Sequence, residues 1–139
     1  MRLRLKVFPL ITIIHLLVSC SQNVSLEADC PEFYEAQHLA REINVAVGEE
    51  FSMTLCSNPT TGFQWLEEAE ISAPGVVEQL DHVFIGPADD PSPPGTPGSE
   101  VWTFRALSQG DCTISFEYSR PWEGGEKSEW TFVLSVAAE

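Results

Sequence analysis

Residues 51–56 read Phe-Ser-Met-Thr-Leu-Cys, and large apolar side chains alternate with smaller ones along this run. A period of two places the large side chains on one face of an extended strand, so that one face is buried and the other faces solvent. The same alternation recurs at 112–118, where every second side chain is apolar. Both runs therefore predict half-buried strands of a sheet.

Five further segments carry strand-forming residues between turn signals, at 43–47, 63–66, 76–85, 101–106 and 130–136. Seven short strands in roughly 95 residues indicate an all-β fold, an immunoglobulin-like antiparallel β-sandwich of about seven strands. Such a domain can bury enough apolar surface to fold alone. The predicted core consists of Phe51, Met53, Leu55, Trp65, Phe104, Ile114, Phe116, Phe132 and Leu134.

The first 19 residues differ from the rest, because three cations precede an apolar stretch at 7–18. This pattern is typical of a secretory signal, and the stretch is too short to span a bilayer comfortably. Leu17-Val18-Ser19-Cys20 resembles the lipobox of bacterial lipoproteins. The resemblance implies cleavage before Cys20, acylation of Cys20, and an exported protein anchored in the cell envelope. In a Gram-negative cell the anchor would lie in the outer membrane or on the periplasmic face.

Residues 20–42 are predicted to be the acylated cysteine and a polar leader, ahead of a domain at 43–139. Asp29 as N-cap, Pro31 in the first turn and Glu32 in a capping box favour a helix from 29 to 42. The alternative is an unstructured tether that holds the domain off the membrane. The sequence does not decide between the two.

The chain carries 7 basic and 21 acidic residues, for a net charge of −14. Three of the cations lie in the signal, so the exported part carries four cations and a net charge of −17. This charge disfavours binding to nucleic acid or to anionic lipid. It favours solubility, and it could steer the protein toward a basic partner.

Three cysteines remain beyond Cys20, which allows one disulfide and one free thiol in an oxidising compartment. Cys56 ends one predicted strand, whereas Cys112 begins another at the opposite end of the sandwich, too far away for a disulfide. Cys30 on the leader favours a Cys30–Cys56 bridge, although a helical leader could instead carry Cys30 toward Cys112. No CxxC pair is present, and we expect no metal site and no cofactor.

No catalytic motif is recognisable. His38 and His82 stand in no known pattern, and GxSxG, HExxH and phosphate-loop sequences are absent. The pair Asp89-Asp90 lies in a proline-rich loop, where acidic residues usually face water. Cys112 lies in a predicted core strand rather than in a cleft. We therefore expect that the protein is not an enzyme.

The distinctive residues lie in three predicted loops, at 58–62, 94–98 and 120–125. In a seven-strand sandwich these are the B–C, D–E and F–G loops, and they meet at one end. Loops on a rigid scaffold are where binding function is usually found. This end of the domain is therefore the candidate binding surface.

Asn58-Pro-Thr-Thr-Gly-Phe63 followed by Trp65, and Arg120-Pro-Trp-Glu123, resemble the signature loops of the chagasin-type cysteine protease inhibitors, to which the amoebiasins are related. The resemblance runs from about residue 43 to residue 136. It implies reversible, tight-binding inhibition of papain-like cysteine proteases by a monomer. A three-loop wedge would occlude the active-site cleft, and the inhibitor would not be cleaved.

By this resemblance Thr60 and Thr61 would enter the cleft, Gly95–Gly98 would bind one side, and Arg120–Trp122 would pack on the other. Pro97 departs from the family, in which glycine is common there, and it removes a backbone donor. The protease-binding residues implied are Asn58, Pro59, Thr60, Thr61, Gly62, Phe63, Gly95, Thr96, Pro97, Gly98, Arg120, Pro121 and Trp122.

Two other functions compete with inhibition, because immunoglobulin-like folds host many activities. One is a lipid-anchored binding module for an envelope or extracellular partner. The other is a structural envelope lipoprotein, which would bind through its acidic surface or leader. Replacement of Thr60, Thr61 and Trp122 distinguishes them, since only an inhibitor of this family needs those side chains.

Overall fold

The protein is described here by a computed structural model that covers residues 23–88 and 91–139. The expected signal at 1–19, the expected lipidation site Cys20 and the Asp89-Asp90 pair lie outside these residues. No helix among the described residues is long and apolar enough to cross a membrane. The described elements are β1 (Val24–Ala28), α1 (Cys30–Glu35), β2 (His38–Val45), β3 (Glu50–Ser57), β4 (Gln64–Trp65), β5 (Glu70–Ile71), β6 (Val77–Ile85), β7 (Gly98–Ala106), β8 (Gly110–Ser119) and β9 (Trp130–Ala138).

The strands form two sheets packed face to face. The first sheet has the order β1-β3-β7-β6, and the second has the order β2-β9-β8-β4, with β5 also paired to β8. The predicted immunoglobulin-like β-sandwich is confirmed, and each of the seven predicted strands is present. The sequence pattern did not reveal β1 and β5. Nor did it reveal that β1 pairs with β3, and β2 with β9, in parallel.

The core lies between the sheets, and all nine predicted core side chains are buried. Trp102, Tyr118 and Phe33 join them as the largest fully buried side chains. The indole nitrogen of Trp102 donates to the Glu67 carbonyl oxygen at 3.0 Å, and that of Trp65 donates to the Cys56 carbonyl oxygen at 2.9 Å. Both buried N–H groups are therefore paired, as burial requires.

From Val24 onward the leader is part of the sandwich, which corrects the expectations of a helix from 29 to 42 and of an unstructured tether. Asp29 does cap a helix, because its Oδ1 accepts from the Glu32 amide at 2.9 Å. The helix ends at Glu35, however, and His38–Val45 pairs with β9 along its whole length. Phe33 is buried with its ring 4.9 Å from that of Trp130. Backbone pairing and this aromatic contact outweigh the local helical signals, so the leader is neither a long helix nor a tether.

Cys30 and Cys56 form a disulfide with a Cα–Cα distance of 5.1 Å, the pairing that the sequence favoured. It joins the start of α1 to the end of β3. Among the described cysteines Cys112 is unpaired and buried, and its sulfur lies 3.8 Å from the Ser72 hydroxyl. The leader is thus attached covalently next to the B–C loop.

Candidate functional site

Three loops meet at the end of the sandwich where β3, β6 and β8 terminate. They are the B–C loop at 58–63, the D–E loop at 86–97 and the F–G loop at 120–129. Hydrogen bonds join the B–C loop to each of the other two. The three loops therefore form one surface, with the B–C loop in the middle.

The B–C loop is a tight turn whose polar groups are used internally. Pro59–Thr61 forms a 3₁₀ turn, and Gly62 closes it in the left-handed conformation at φ 80°. The Thr60 hydroxyl donates to the Asn58 side-chain oxygen at 2.6 Å, and the Thr61 hydroxyl donates to the Asn58 carbonyl oxygen at 2.7 Å. Pro59, Thr60 and Thr61 are exposed, so a short and rigid tip faces outward.

Tyr118 and Phe63 support this turn from below. The phenol oxygen of Tyr118 accepts a hydrogen bond from the Asn58 amide at 2.8 Å. Burial raises the pKa of Tyr118, so its hydroxyl stays neutral beneath the loop. Phe63 is buried and stacks on the Tyr118 ring at 5.6 Å. Phe63 therefore supports the loop rather than facing a partner.

The D–E loop is tied to the B–C loop through Asn58, whose side-chain nitrogen donates to the Gly95 carbonyl oxygen at 2.9 Å. Gly95 has φ 83°, a conformation that suits glycine, and it is exposed. Thr96 is held by its hydroxyl, which donates to the Pro93 carbonyl oxygen at 2.6 Å. The turn around Gly95 is therefore held by one hydrogen bond from the B–C loop and by one within the D–E loop.

Gly98 is the first residue of β7 rather than a loop residue, and it pairs with Ser57. A β-carbon at this position would lie 2.3 Å from the Ile85 carbonyl oxygen and 2.9 Å from the Phe84 ring. Only glycine allows β6 and β7 to approach this closely. Gly98 and the half-buried Pro97 thus shape the base of the D–E loop, while Gly95 is exposed at its turn.

Arg120 connects the F–G loop to the B–C loop. Its Nη2 and Nε donate to the Thr61 carbonyl oxygen at 3.1 and 3.3 Å. Its guanidinium lies 4.4 Å from the Phe63 ring centroid, a cation–π distance, and Nη1 pairs with Glu126 at 3.2 Å. The Arg120 side chain is therefore engaged inside the molecule, as a positioning group for the B–C turn.

Trp122 is the largest exposed side chain of the three loops, with 52% of its surface accessible. The edge of its ring lies against Gly62, because a β-carbon there would lie 2.7 Å from Trp122 Cη2 and 3.5 Å from Cζ3. Lys127 donates through Nζ to the carbonyl oxygens of Arg120 and Trp122. The indole is thus held beside the B–C tip and is half exposed to solvent.

The family profile described as "Chagasin family peptidase inhibitor I42" matches residues 44–136. The chain belongs to the chagasin family. Chagasin of Trypanosoma cruzi is 29% identical over 106 residues, which covers 73% of this chain and 92% of chagasin. The family is described as one of peptidase inhibitors, which agrees with the expectation that the chain is not an enzyme.

Two solved structures share the chagasin-like fold. The cysteine protease inhibitor EhICP2 from Entamoeba histolytica has a TM-score of 0.63 at 20% identity, covering 85% of this chain and 99% of that protein. PbICP-C, solved in complex with falcipain-2, has a TM-score of 0.58 at 15% identity, covering 73% of this chain and 89% of that one. At these identities the similarity shows the fold.

The thirteen predicted contact residues of this chagasin-family chain separate into two groups. The exposed residues are Pro59, Thr60, Thr61, Gly95, Pro121 and Trp122. The half-buried or buried ones are Asn58, Gly62, Phe63, Thr96, Pro97, Gly98 and Arg120. The structure adds Tyr118, Glu126 and Lys127 as supporting residues. Sequence reasoning missed these because their contacts depend on loop geometry rather than on a local motif.

Near the site, a buried carboxylate lies between a serine and a histidine. Glu100 is buried and accepts from Ser57 at 2.6 Å through Oε1, while its Oε2 lies 2.6 Å from His82 Nε2. The carboxylate separates the serine from the histidine, so no activated nucleophile is formed. Residues 23–88 and 91–139 contain no group of three or more side chains suited to a metal ion.

Proposed function

We propose that the protein is a reversible, tight-binding inhibitor of papain-like cysteine proteases, and that its three loops occlude the active-site cleft as a wedge. The observation that carries this proposal is that the exposed B–C tip is hydrogen-bonded to both of the other loops. Asn58 holds it to the D–E loop at 2.9 Å, and Arg120 holds it to the F–G loop at 3.1 Å. A structural relative was solved in complex with falcipain-2, which supports a protease as the partner.

The tip suits a narrow cleft because it is rigid before binding. Pro59, the left-handed Gly62 and the internal hydroxyl bonds of Thr60 and Thr61 restrict its conformations. A preorganised loop loses little conformational entropy on association, so more of the contact energy contributes to affinity. Short threonine side chains also let the turn enter deeply without a long residue blocking the way.

The same geometry explains why the tip would resist cleavage. A protease must place a scissile carbonyl carbon near its nucleophile in a specific orientation. Here the Thr61 carbonyl oxygen accepts two hydrogen bonds from Arg120, and the backbone forms a helical turn rather than an extended segment. The bond is therefore held away from a reactive geometry, and the complex dissociates with the inhibitor intact.

The flanking loops would contact the two sides of the cleft. Trp122 presents a large, half-exposed indole whose edge lies against Gly62, and tryptophan is among the residues most often found as interface hot spots. Gly95 presents exposed backbone on the other side. The net charge of −17 on the part expected to be exported favours a target that is basic around its cleft.

The test is inhibition of papain and cathepsin L by the purified protein, beside Thr61→Arg and Ser135→Arg. Thr61 lies at the exposed tip, whereas Ser135 is exposed on β9, so the two variants introduce the same side chain at different places. We expect reversible inhibition by the parent protein and by Ser135→Arg, and its loss in Thr61→Arg. Absence of inhibition by the parent protein, or full activity of Thr61→Arg, would reject the wedge.

We further propose that the inhibitor is exported and anchored to the cell envelope by acylation of Cys20. The support is the order of cations, apolar stretch and Leu17–Cys20 at the start of the sequence. Lipid on the thiol together with a second acyl chain gives stable membrane binding. Cys20→Ser should move the protein from the membrane fraction to the soluble fraction. Retention of the variant in membranes would contradict lipidation at this residue.

A further inference from the structure

The outer edge of the first sheet exposes apolar side chains that the three-loop wedge does not use. Strand β6 lies at this edge, and its exposed apolar side chains include Val83 and Ile85 on the outer face of the sheet and Phe84 on the opposite face. Leu66, just beyond β4, is also exposed. Phe84 and Leu66 line one groove, and clustered apolar exposure marks an interaction surface more often than isolated exposed side chains do.

Phe84 and Leu66 form the walls of a groove of about 380 Å³. We call it the β6 groove, and we define it by Pro59, Gln64, Leu66, Glu67, His82 and Phe84. Pro59 belongs to the B–C tip, and the Phe84 ring lies against Gly98 at the base of the D–E loop. The groove is therefore continuous with the proposed protease-binding surface.

Packing within the domain buries only part of the Phe84 and Leu66 side chains. The inner edge of the Phe84 ring covers Gly98, yet 48% of the residue remains accessible. Leu66 is 57% accessible, so it contributes little to the core. An added strand is a poor occupant, because β6 has a register shift between Gln79 and Asp81 and an exposed acid there. Bulges and edge charges oppose strand pairing.

The charges around the groove indicate the chemistry of its occupant. Glu67 lies in its wall, and Glu68 and Asp81 line the neighbouring depression. The described lysine and arginine residues do not line the groove. An apolar side chain flanked by lysine or arginine would thus match both the walls and the rim.

We propose that the β6 groove is a fourth contact for the target protease. It receives an apolar side chain, next to a basic residue, from the rim of the enzyme's cleft. The proposal rests on the proposed inhibitory function, and it deepens that function by assigning specificity. Because rims differ more between related enzymes than catalytic centres do, this contact selects which papain-like proteases are inhibited.

The experiment measures inhibition constants of the purified protein and its variants against a panel of papain-like enzymes. Phe84→Ala and Leu66→Ser remove the two walls, and Glu67→Lys reverses the charge of the rim. Leu107→Ala is the matched control, because Leu107 is 41% accessible and lies at the other end of β7. We expect each groove variant to weaken inhibition about tenfold for some enzymes and little for others, and the control to change nothing. Melting temperatures identify variants that fold poorly. If Phe84→Ala is one of them, Leu66→Ser provides the test, because Leu66 is largely exposed.

Three outcomes overturn the groove as a specificity contact. The first is unchanged inhibition of every enzyme by both Phe84→Ala and Leu66→Ser. The second is weakening by the same factor across the whole panel. The third is a dimer in sedimentation that dissociates in Phe84→Ala without any change in inhibition, because the groove would then bind a second copy of the chain. Failure of the parent protein to inhibit any enzyme is distinct, since it rejects the inhibitory function itself.

Discussion

The guanidinium group of Arg120 donates two hydrogen bonds to the carbonyl oxygen of Thr61, across a sequence separation of 59 residues. The same guanidinium stacks over Phe63 and pairs with Glu126. One side chain therefore sets the relative position of the B–C and F–G loops. Arginine suits this role because its planar group can bind in several directions at once.

Arg120→Lys should weaken protease inhibition about tenfold while the melting temperature stays nearly unchanged. Lysine keeps the charge, but it cannot bond Thr61, stack on Phe63 and pair with Glu126 together. Arg105→Lys is the control, because Arg105 pairs with Glu50 and Glu78 on the outer face of the first sheet. Equal inhibition constants for the two variants would show that Arg120 does not position the tip.

Gly62→Ala and Gly48→Ala separate backbone strain from displacement of Trp122. Both glycines have positive φ, 80° and 88°, so alanine costs each of them about 1–2 kcal/mol of folding free energy. A β-carbon at Gly62 also meets Trp122 at 2.7 Å, whereas nothing lies within 4 Å at Gly48. Denaturant titration should show similar destabilisation, and only Gly62→Ala should lose inhibition. Loss of inhibition in both variants would attribute the effect to stability.

Trp122→Ala should raise the inhibition constant by at least the equivalent of about 2 kcal/mol, the usual scale of a hot spot. The indole is exposed and already oriented, so its removal deletes contact area without disturbing the core. Trp122→Phe should retain part of the affinity because it preserves an aromatic face. The idea is wrong if Trp122→Ala inhibits papain as well as the parent protein does.

The Cys30–Cys56 disulfide, with a sequence separation of 26 residues, should contribute about 3 kcal/mol to the free energy of unfolding. Urea titration of the oxidised protein against a Cys30→Ser/Cys56→Ser double variant measures this difference. Thiol reductant should destabilise the parent protein and leave the double variant unaffected. Mass mapping should find only the Cys30–Cys56 bridge. A bridge to Cys112 would contradict the strand assignment.

Glu117 should make the stability of the F–G loop depend on pH. The Ser119 hydroxyl bond lowers the pKa of Glu117 below its ordinary value of 4.5, and bonds from Ser128 add to this effect. Because the pKa of Glu117 is lowered in the folded state, its carboxylate stabilises the fold at neutral pH. This stabilisation is lost as the pH falls through the folded-state pKa. Ser128 has φ 52°, so the loop there depends on this support.

Unfolding free energies measured between about pH 6 and about pH 3 test this dependence. The parent protein should lose more stability over that interval than Glu117→Gln, which has no carboxyl to protonate. Glu123→Gln, an exposed loop variant, should follow the parent protein. Parallel curves for the parent protein and Glu117→Gln would exclude the carboxylate as the source.

The sandwich was predictable because alternation is a local property of the chain. A buried face is indicated within six residues by the alternation of Phe51, Met53 and Leu55, and all three are buried in the structure. The leader was not predictable in this way. Asp29 and Glu32 signal where a helix begins, but its early end is decided by pairing between His38 and Thr131, which lie far apart in sequence.

The site shows the same division. The three loops and their residues could be selected from motifs, and the structure brings them to one end. The sequence could not show which of these residues are exposed and which support the loops. That division depends on contacts such as the one between Asn58 and Gly95, which lie 37 residues apart. Tyr118 alternates like any core residue, and nothing in its pattern indicates that it supports the B–C turn.

The parallel register of β1 and β3 determines how the inhibitor would stand on a membrane. Val24 lies beside Phe51 and Ala28 beside Leu55, so both strands run toward the B–C tip. The chain therefore enters the domain at the pole opposite the tip. Three residues separate Cys20 from Val24, a reach of about 13 Å at most. With lipid on Cys20, the domain would sit close to the bilayer with its inhibitory tip pointing outward, about 25 Å higher by the length of β3. If Cys20 is acylated as proposed, an inhibitor mounted in this way would intercept soluble proteases that approach the cell surface.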